Sequence, residues 1–199
     1  MQNKTKDFYN NNAENWTAKK VNSFHHEIPF RKFEALLKEG DNILDIGCAS
    51  GIHVPLFLGI GRKLNYEGID ISEEMIKIAK ARYPQLDFNT VDIMDFNPNK
   101  KYDGFWSAAT LMHIPREDHE KLFSKIKNLI VPGGLGYITV PSERPNPESD
   151  TDQRLFTLFS EEEFKSTIFN QGWKVLESGN LPASNEHPIW NWFIVQLPK

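Results

Sequence analysis

The sequence predicts an α/β fold in which a doubly wound, mostly parallel sheet carries helices on both faces. Three observations lead to this prediction. Apolar runs rich in β-branched residues alternate with amphipathic segments along most of the 199 residues. The first apolar run, 43–46, ends in a glycine-containing turn at 47–51. Acidic residues lie at or just after the carboxyl ends of three successive predicted strands, at the edge where open α/β sheets bind ligands.

Seven predicted strands account for the apolar runs. Each is short and is bounded by glycine, proline or polar residues. Because helical patterns separate most of them, we expect crossover connections and a mostly parallel sheet. In order, the predicted strands are 43–46, 66–71, 86–91, 102–109, 135–140, 173–177 and 190–197.

The helical segments between the strands carry end signals of their own. Gly40 and Gly172 follow apolar patterns as C-terminal caps do. Ser72 and Ser160 precede glutamate-rich first turns, which is typical of N-terminal caps, and Pro115 suits the first turn of a helix. The predicted helices are 30–38, 53–58, one from 73, one from 115 that stops before the turn at 132–134, and 161–171.

The first 30 residues carry aromatic side chains at spacings that suggest short helices. Phe8, Tyr9 and Trp16 lie in a polar segment, and two histidines, 25 and 26, follow. These helices could cover an opening at the sheet edge. Alternatively, the aromatic residues only anchor an N-terminal helix to the core, and the sequence leaves both interpretations open.

The composition is that of an ordinary globular protein, with 39% hydrophobic and 25% charged residues. The length suits a single domain, 1–199, in which 1–30 forms a helical cover over the active site and 141–156 a lid or substrate loop. A formal net charge of −4 offers no positive field to a phosphate backbone, so we expect no nucleic acid partner.

The sequence favours a cytoplasmic location and no membrane partner. Cys48 is the only cysteine, so no intramolecular disulfide can form. The first residues lack the apolar core of a signal peptide, and no apolar run approaches the roughly 20 residues of a membrane span.

Three aspartates mark the candidate site. Asp45 lies two positions before the first glycine of the turn, Asp70 ends the second predicted strand and Asp92 follows the third. A carboxylate such as that of Asp70 can accept hydrogen bonds from two vicinal ribose hydroxyls. Asp92 beside apolar Ile93 suits an exocyclic amino group and a planar base. The glycines do not follow the dinucleotide pattern G-x-G-x-x-G, so a pyrophosphate is not the expected ligand.

In this order, the motifs resemble those of the class I S-adenosylmethionine-dependent methyltransferases over nearly the whole chain. The segment 43–51 resembles their first motif, 68–72 the second, 91–92 the third and 102–113 the fourth. The segment 128–134, Asn-Leu-Ile-Val-Pro-Gly-Gly, resembles the L-K-P-G-G that follows their fourth strand. The resemblance implies a seven-stranded sheet whose last strand is antiparallel, and S-adenosylmethionine as cofactor.

The resemblance also implies the cofactor contacts. The turn would surround the amino acid part of the cofactor, Asp70 would take the ribose, Asp92 the adenine, and Ala108 would line the methionine chain. Ala49 stands where the family pattern D-x-G-x-G-x-G has its middle glycine, which puts the geometry of the turn in question. The cofactor-binding residues expected on this basis are Asp45, Gly47, Cys48, Ala49, Gly51, Asp70, Ile71, Met75, Asp92, Ile93 and Ala108.

The expected methyl acceptor is a small molecule. The small size leads us to expect no appended recognition domain, and 107–112 lacks the Asp/Asn-Pro-Pro-aromatic motif of DNA amino-methyltransferases. There are three alternatives: methyl transfer to RNA or protein, a nicotinamide-dependent oxidoreductase, and a protein that binds the cofactor without turnover. The expected oligomeric state is a monomer or a homodimer. The residues expected to contact substrate are Tyr9, Trp16, His25, His26, Arg144 and Arg154.

His113, just after the fourth predicted strand, is the candidate catalytic base, which is needed only if the acceptor must lose a proton. The alternative is a histidine that packs or hydrogen-bonds at the start of a helix. The six histidines show no metal-binding spacing, so no metal is expected. His119 is expected on a helix surface, and Cys48 as a small packing residue rather than a nucleophile.

Overall fold

The computed structural model describes residues 2–21, 26–143, 152–181 and 190–199. The predicted substrate residues His25 and Arg144 lie outside these ranges, as does the segment 144–151, half of the predicted 141–156 loop. In chain order the elements are α1 (Gln2–Lys20), α2 (Glu27–Glu34), β1 (Asn42–Ile46), α3 (Val54–Leu58), β2 (Asn65–Asp70), α4 (Glu73–Arg82), β3 (Asp87–Thr90), β4 (Tyr102–Ser107), two 3-10 turns (Leu111–His113 and Arg116–Asp118), α5 (His119–Leu129), β5 (Ile130–Pro141), α6 (Glu161–Asn170), β6 (Lys174–Leu181) and β7 (Trp190–Gln196).

The strands form one seven-stranded sheet in the order β3-β2-β1-β4-β5-β7-β6. Strands β1 to β5 pair in parallel, whereas β7 runs antiparallel to both β5 and β6. The strand order reverses between β1 and β4, which places the ligand-binding crevice of such a sheet at the ends of these two strands. The predicted fold class, including the antiparallel last strand, is confirmed.

Apolar side chains cover both faces of the sheet. On one face α5 and α6 pack against Phe105 of β4, Ile138 of β5 and Phe193 of β7. On the other face α2, α3 and α4 pack against Trp106 of β4 and their neighbours in the sheet. Successive strand residues point to opposite faces, so this two-sided burial explains why the strands are nearly continuous apolar runs.

Both predicted serine caps are present. Ser72 Oγ accepts a hydrogen bond from the Met75 amide at 3.2 Å, and Ser160 Oγ accepts one from the Glu163 amide at 3.2 Å. Each cap satisfies one of the amides that a helix leaves without a partner in its first turn.

The N-terminal segment differs from its prediction. A single 19-residue helix, α1, replaces the expected short helices. The segment is too polar for a strong apolar pattern of its own, and its contacts with α4 supply the tertiary stabilisation that such a helix requires.

The start of β5 and the position of His119 are also different. β5 begins at Ile130, pairing with Tyr102, and its register then shifts before Leu135 pairs with Gly104. The predicted turn at 132–134 is this irregularity within the strand, and Gly133 in it has a φ angle of 82°. Glycine is required at position 134, because a Cβ there would lie only 2.9 Å from the Asp103 carbonyl oxygen of the neighbouring strand. His119 is 3% exposed rather than on the surface, and its ring packs 5.0 Å from that of Phe159.

Within the described ranges, no helix combines the length and apolar character that crossing a membrane requires. The same ranges contain no group of three or more histidine, cysteine, aspartate or glutamate side chains that could hold a metal ion.

Candidate active site

The turn after β1 is left-handed at three positions. Gly47, Ala49 and Gly51 have φ angles of 75°, 48° and 71°. A Cβ at Gly47 would overlap the Thr110 side chain, so this glycine is required by the close approach of the turns after β1 and β4. Ala49 adopts the conformation expected of the missing middle glycine, at a cost of roughly 1–2 kcal/mol.

Asp45 is the most deeply buried acid of the candidate site, with 1% exposure. Its Oδ2 accepts a 2.6 Å hydrogen bond from the Tyr66 hydroxyl, whereas its Oδ1 is buried and has no partner among the described residues. Burial raises the pKa of Asp45 to about 7. A buried carboxylate oxygen without a partner fits a positively charged donor such as an ammonium group.

Cys48 lies in the same turn and is fully buried. Burial raises the pKa of its thiol well above the usual value, so it is a neutral thiol at physiological pH. Its Sγ and Cβ lie close to Gly68 of β2, where a Cβ would meet them within about 3 Å. This environment favours the packing role over a nucleophilic one.

Asp70 at the end of β2 connects two backbone segments. Its Oδ2 accepts from the Ala49 amide and its Oδ1 from the Ser72 amide, both at 2.9 Å. Burial raises its pKa to about 6, an effect that these amide hydrogen bonds oppose. Asp70 therefore holds the turn after β1 against the start of α4.

Asp92 follows β3 on the adjacent strand end. Its Oδ1 accepts from the Met94 amide at 2.9 Å, and Ile93 beside it is 7% exposed. The Val91 amide donates to the Asp70 carbonyl oxygen at 2.9 Å, which ties this segment to β2. Asp45, Asp70 and Asp92 thus lie at the carboxyl ends of three neighbouring strands, as predicted from the sequence.

Helix α1 lies against the turn after β1 and the start of α4. Ala13 is buried in a small cluster with Ala49 and Met75, and Tyr9 and Trp16 pack against it. Polar contacts reinforce the packing, since Asn10 Oδ1 accepts from Ser72 Oγ at 2.6 Å and Lys6 pairs with Glu73 at 2.6 Å. The aromatic residues of α1 therefore lie at the candidate cofactor site.

Tyr9 also contacts the other side of the crevice. Its hydroxyl lies 3.0 Å from His113 Nε2, while His113 Nδ1 lies 2.6 Å from the Leu155 carbonyl oxygen. A carbonyl can only accept, so Nδ1 carries the proton and Nε2 accepts from Tyr9. Burial lowers the pKa of His113 to about 4, so the ring is neutral.

Arg154 completes this network. Its Nη1 donates to the Tyr9 hydroxyl at 3.1 Å, and its Nε and Nη2 donate to the two carboxylate oxygens of Asp152 at 2.9 and 2.7 Å. The guanidinium carbon lies 4.0 Å from the centre of the Phe8 ring. Sequence inspection singled out Tyr9, His113 and Arg154 separately but missed Asp152, which no local pattern distinguishes from other loop acids.

His26 contacts a different set of residues. Its Nδ1 lies 2.9 Å from the Tyr137 hydroxyl, and its ring centre lies 5.2 Å from that of His53. Ala108 lies just beyond the end of β4 and is 7% exposed. The next residue, Ala109, has a φ angle of 57°. The predicted site residues therefore fall into a group at the ends of β1 to β3, a network around Tyr9, and a group around His26.

The strand order, the antiparallel β7 and the left-handed turn after β1 are those of the class I S-adenosylmethionine-dependent methyltransferase fold. Residues 43–134 match a family model described as a methyltransferase domain. The resemblance predicted from the sequence is therefore confirmed, and the matched segment runs from the second residue of β1 into β5 and contains the three aspartates.

Curated relatives match part of the chain. Malonyl-[acyl-carrier protein] O-methyltransferase 2 of Ilyobacter polytropus is 37% identical over 97 residues, which is 47% of this chain and 37% of that protein. Trans-aconitate 2-methyltransferase of Variovorax paradoxus is 31% identical over 112 residues, 56% of this chain and 42% of that protein. The chain thus spans about two-fifths of the length of these relatives.

A solved structure extends the similarity in fold to nearly the whole chain. The 1,6-didemethyltoxoflavin-N1-methyltransferase of Burkholderia thailandensis, crystallised with 1,6-didemethyltoxoflavin and S-adenosylhomocysteine, superposes with a TM-score of 0.80. The alignment covers 98% of this chain and 88% of that chain at 16% sequence identity. This likeness concerns the fold.

Proposed function

We propose that this protein transfers a methyl group from S-adenosylmethionine to a small-molecule acceptor. The observation that carries the proposal is the unpartnered, buried Oδ1 of Asp45 beside the left-handed turn at 47–51. Asp70 and Asp92 on the next two strand ends supply acceptors for a ribose and a base. The family match over 43–134 and the relatives with small acceptors support it.

The residues present fit this cofactor. Asp45 would hold the ammonium group, the backbone of the turn would follow the methionine part, and Asp70 would bind the ribose. When bound, S-adenosylmethionine supplies a methyl group on a sulfonium for in-line displacement, with a neutral leaving group. The cofactor-binding set we propose is Asp45, Gly47, Cys48, Ala49, Gly51, Asp70, Ile71, Met75, Asp92, Ile93 and Ala108.

The protein's own contribution is to bind and orient the two reactants and to exclude water from them. Helix α1 covers the turn after β1 through Ala13 and Trp16, which keeps water from the reacting groups. Tyr9, Trp16, His26 and Arg154 are proposed to face the acceptor. A base is needed only when the acceptor must lose a proton.

The geometry favours His113 as a positioning residue over a catalytic base. Both of its ring nitrogens have partners, because Nδ1 donates to the Leu155 carbonyl and Nε2 accepts from Tyr9. A pKa of about 4 makes the ring a weak base at neutral pH. We propose that His113 orients the Tyr9 hydroxyl.

At pH 6, His113 is expected to be neutral with its proton on Nδ1, because burial lowers its pKa and the Leu155 carbonyl selects this tautomer. Long-range ¹⁵N NMR of the histidine side chains measures both properties. His113→Gln is expected to retain turnover within about threefold, whereas loss of a base costs roughly 10²-fold or more. A charged His113 ring at pH 6 would contradict the positioning role.

Asp70→Ala is expected to weaken S-adenosylmethionine binding by about 1–3 kcal/mol, since ribose hydroxyls lose a charged acceptor. Isothermal titration calorimetry measures the change, and Asp70→Asn, which keeps one acceptor oxygen, should lose less. The matched control is Asp87→Ala, an exposed acid at the amino end of β3. Equal affinity in Asp70→Ala and wild type would show that the ribose lies elsewhere.

The proposed function is tested by titrating the protein with S-adenosylmethionine and with NAD. Binding of S-adenosylmethionine alone is the expected result. A screen of candidate metabolites for S-adenosylhomocysteine release then identifies the acceptor. NAD binding without any response to S-adenosylmethionine would overturn the proposal in favour of an oxidoreductase, and turnover only with RNA or protein would overturn the small-molecule acceptor.

A further inference from the structure

Four side chains, which we call the histidine cluster, lie beside Asp45 on the same face of the sheet: His26, His53, Trp106 and Tyr137. Asp45 of β1 is the register partner of Trp106 in β4, which in turn is the register partner of Tyr137 in β5. Register partners in a sheet share a face, so the cluster starts directly beside the proposed ammonium site. His53 follows the turn at 47–51 and precedes α3.

The rings of the cluster contact one another closely. Trp106 and Tyr137 stack with their centres 3.8 Å apart and an angle of 14° between the rings. The His53 ring meets those of His26 and Trp106 at 5.2 and 5.7 Å. His26 Nδ1 and the Tyr137 hydroxyl share a 2.9 Å hydrogen bond, so these two polar groups satisfy each other.

The other two polar groups of the cluster lack partners. His53 is 8% exposed, and no residue in the described parts of the chain forms a hydrogen bond with its ring. Trp106 Nε1 is buried and likewise has no partner there. An unsatisfied buried group costs roughly 1–3 kcal/mol, and folded proteins contain few of them, so the buried Trp106 N–H beside the unpartnered His53 ring calls for a ligand.

The hydrogen-bonding character of these groups defines the ligand. Burial, and secondarily the neighbouring His26, lowers the pKa of His53 well below its usual value, so the ring is neutral and offers one lone pair. Trp106 offers one N–H. Phe30 and Phe57 lie 5.5 and 5.8 Å from the Trp106 ring and make the surroundings apolar.

We propose that the histidine cluster binds an uncharged hydroxyl group of the methyl acceptor, with His53 accepting its proton in a hydrogen bond and Trp106 donating to its oxygen. The proposal rests on the proposed function, because it assigns the acceptor side of the same site. A carboxylate has no proton to donate to His53. An ammonium group has no lone pair for the Trp106 N–H.

The test uses three ring compounds of similar size: benzyl alcohol, benzoate and benzylamine. Each is titrated at pH 7.5 into the full chain saturated with S-adenosylhomocysteine, which permits no turnover, and binding is followed by saturation-transfer NMR. Benzyl alcohol is expected to bind about tenfold more tightly than the other two.

His53→Phe keeps the ring contacts but removes both nitrogens, and it is expected to weaken benzyl alcohol binding about tenfold. His53→Asn, which keeps a donor and an acceptor, should lose less. The matched control is His119→Phe, because His119 is also buried, also has an unpartnered Nδ1, and lies on the opposite face of the sheet. It should leave benzyl alcohol binding unchanged.

The outcomes separate the two proposals. S-adenosylhomocysteine binding without benzyl alcohol binding, or equal binding of benzyl alcohol by wild type and His53→Phe, overturns the hydroxyl subsite and leaves the proposed function standing. Failure to bind S-adenosylhomocysteine overturns the proposed function. Tighter binding of benzoate than of benzyl alcohol overturns the subsite in favour of a carboxylate acceptor.

Discussion

Replacement of Arg154 by alanine is expected to lower the free energy of unfolding by about 3–5 kcal/mol, the usual cost of breaking a buried ion pair from one side. The Arg154 side chain is 6% exposed and that of Asp152 is 0% exposed. Two hydrogen bonds join them, and a third links Arg154 to Tyr9 on α1. Loss of the guanidinium removes the cation that compensates a carboxylate far from water. Chemical denaturation measures the change.

Two variants isolate the cause of this loss. Lys77→Ala breaks an exposed pair with Glu74, whose side chains are 77% and 49% exposed, and should change stability by less than about 0.5 kcal/mol. Asp152→Leu combined with Arg154→Met removes both charges and should recover most of the stability. A change below about 1 kcal/mol in Arg154→Ala would show that the network around Tyr9 contributes little.

The second large effect concerns pH and follows from the proposed function. The affinity for S-adenosylmethionine is expected to fall about tenfold or more between pH 7.5 and pH 5.5, because Asp45 takes up a proton on the acidic side of a pKa of about 7. Only the ionised carboxylate attracts an ammonium group, so binding releases a proton and strengthens as pH rises. Calorimetry in buffers of different ionisation enthalpy measures both affinity and proton release.

Asp45→Asn is the matching variant. It should bind more weakly at pH 7.5 and lose the part of the pH dependence centred near 7. Asp70, with a pKa of about 6, is expected to leave a smaller dependence at lower pH. Measurements do not go above pH 7.5, since an α-amino group itself loses its proton at roughly 7.7–8.0. An Asp45→Asn variant with the wild-type pH profile would contradict the assignment of the ammonium to Asp45.

Local patterns were sufficient to place the acids at the sheet edge. Asp45, Asp70 and Asp92 lie at or just beyond the ends of β1, β2 and β3. Their positions could be predicted because a strand and its end are specified by apolar residues and turn residues within a few positions of each other. Ser72 and Ser160 cap helices for the same reason. The positive φ angle of Ala49 could not be derived locally, because alanine has no intrinsic preference for it and the surrounding packing imposes it.

Other features depended on contacts between distant segments. Helix α1 is mostly polar, and its anchoring to Ser72 and Glu73 is not encoded in any pattern within 2–20. The burial of His119 depends on Phe159, which lies far beyond α5 along the chain. A prediction from hydrophobic periodicity cannot detect such a partner, since it uses only the spacing of apolar residues within one segment.

The sequence by itself determined the fold class, the glycine turn and the acids at the strand ends, because these follow from hydrophobic periodicity and local turn chemistry. Only the tertiary structure decided that Tyr9 lies between His113 and Arg154, which are 104 and 145 positions away. It also decided that His53 is buried beside Trp106 without a partner. Side-chain encounters and pKa values depend on how elements pack and exclude water, and neither is a property of a single segment.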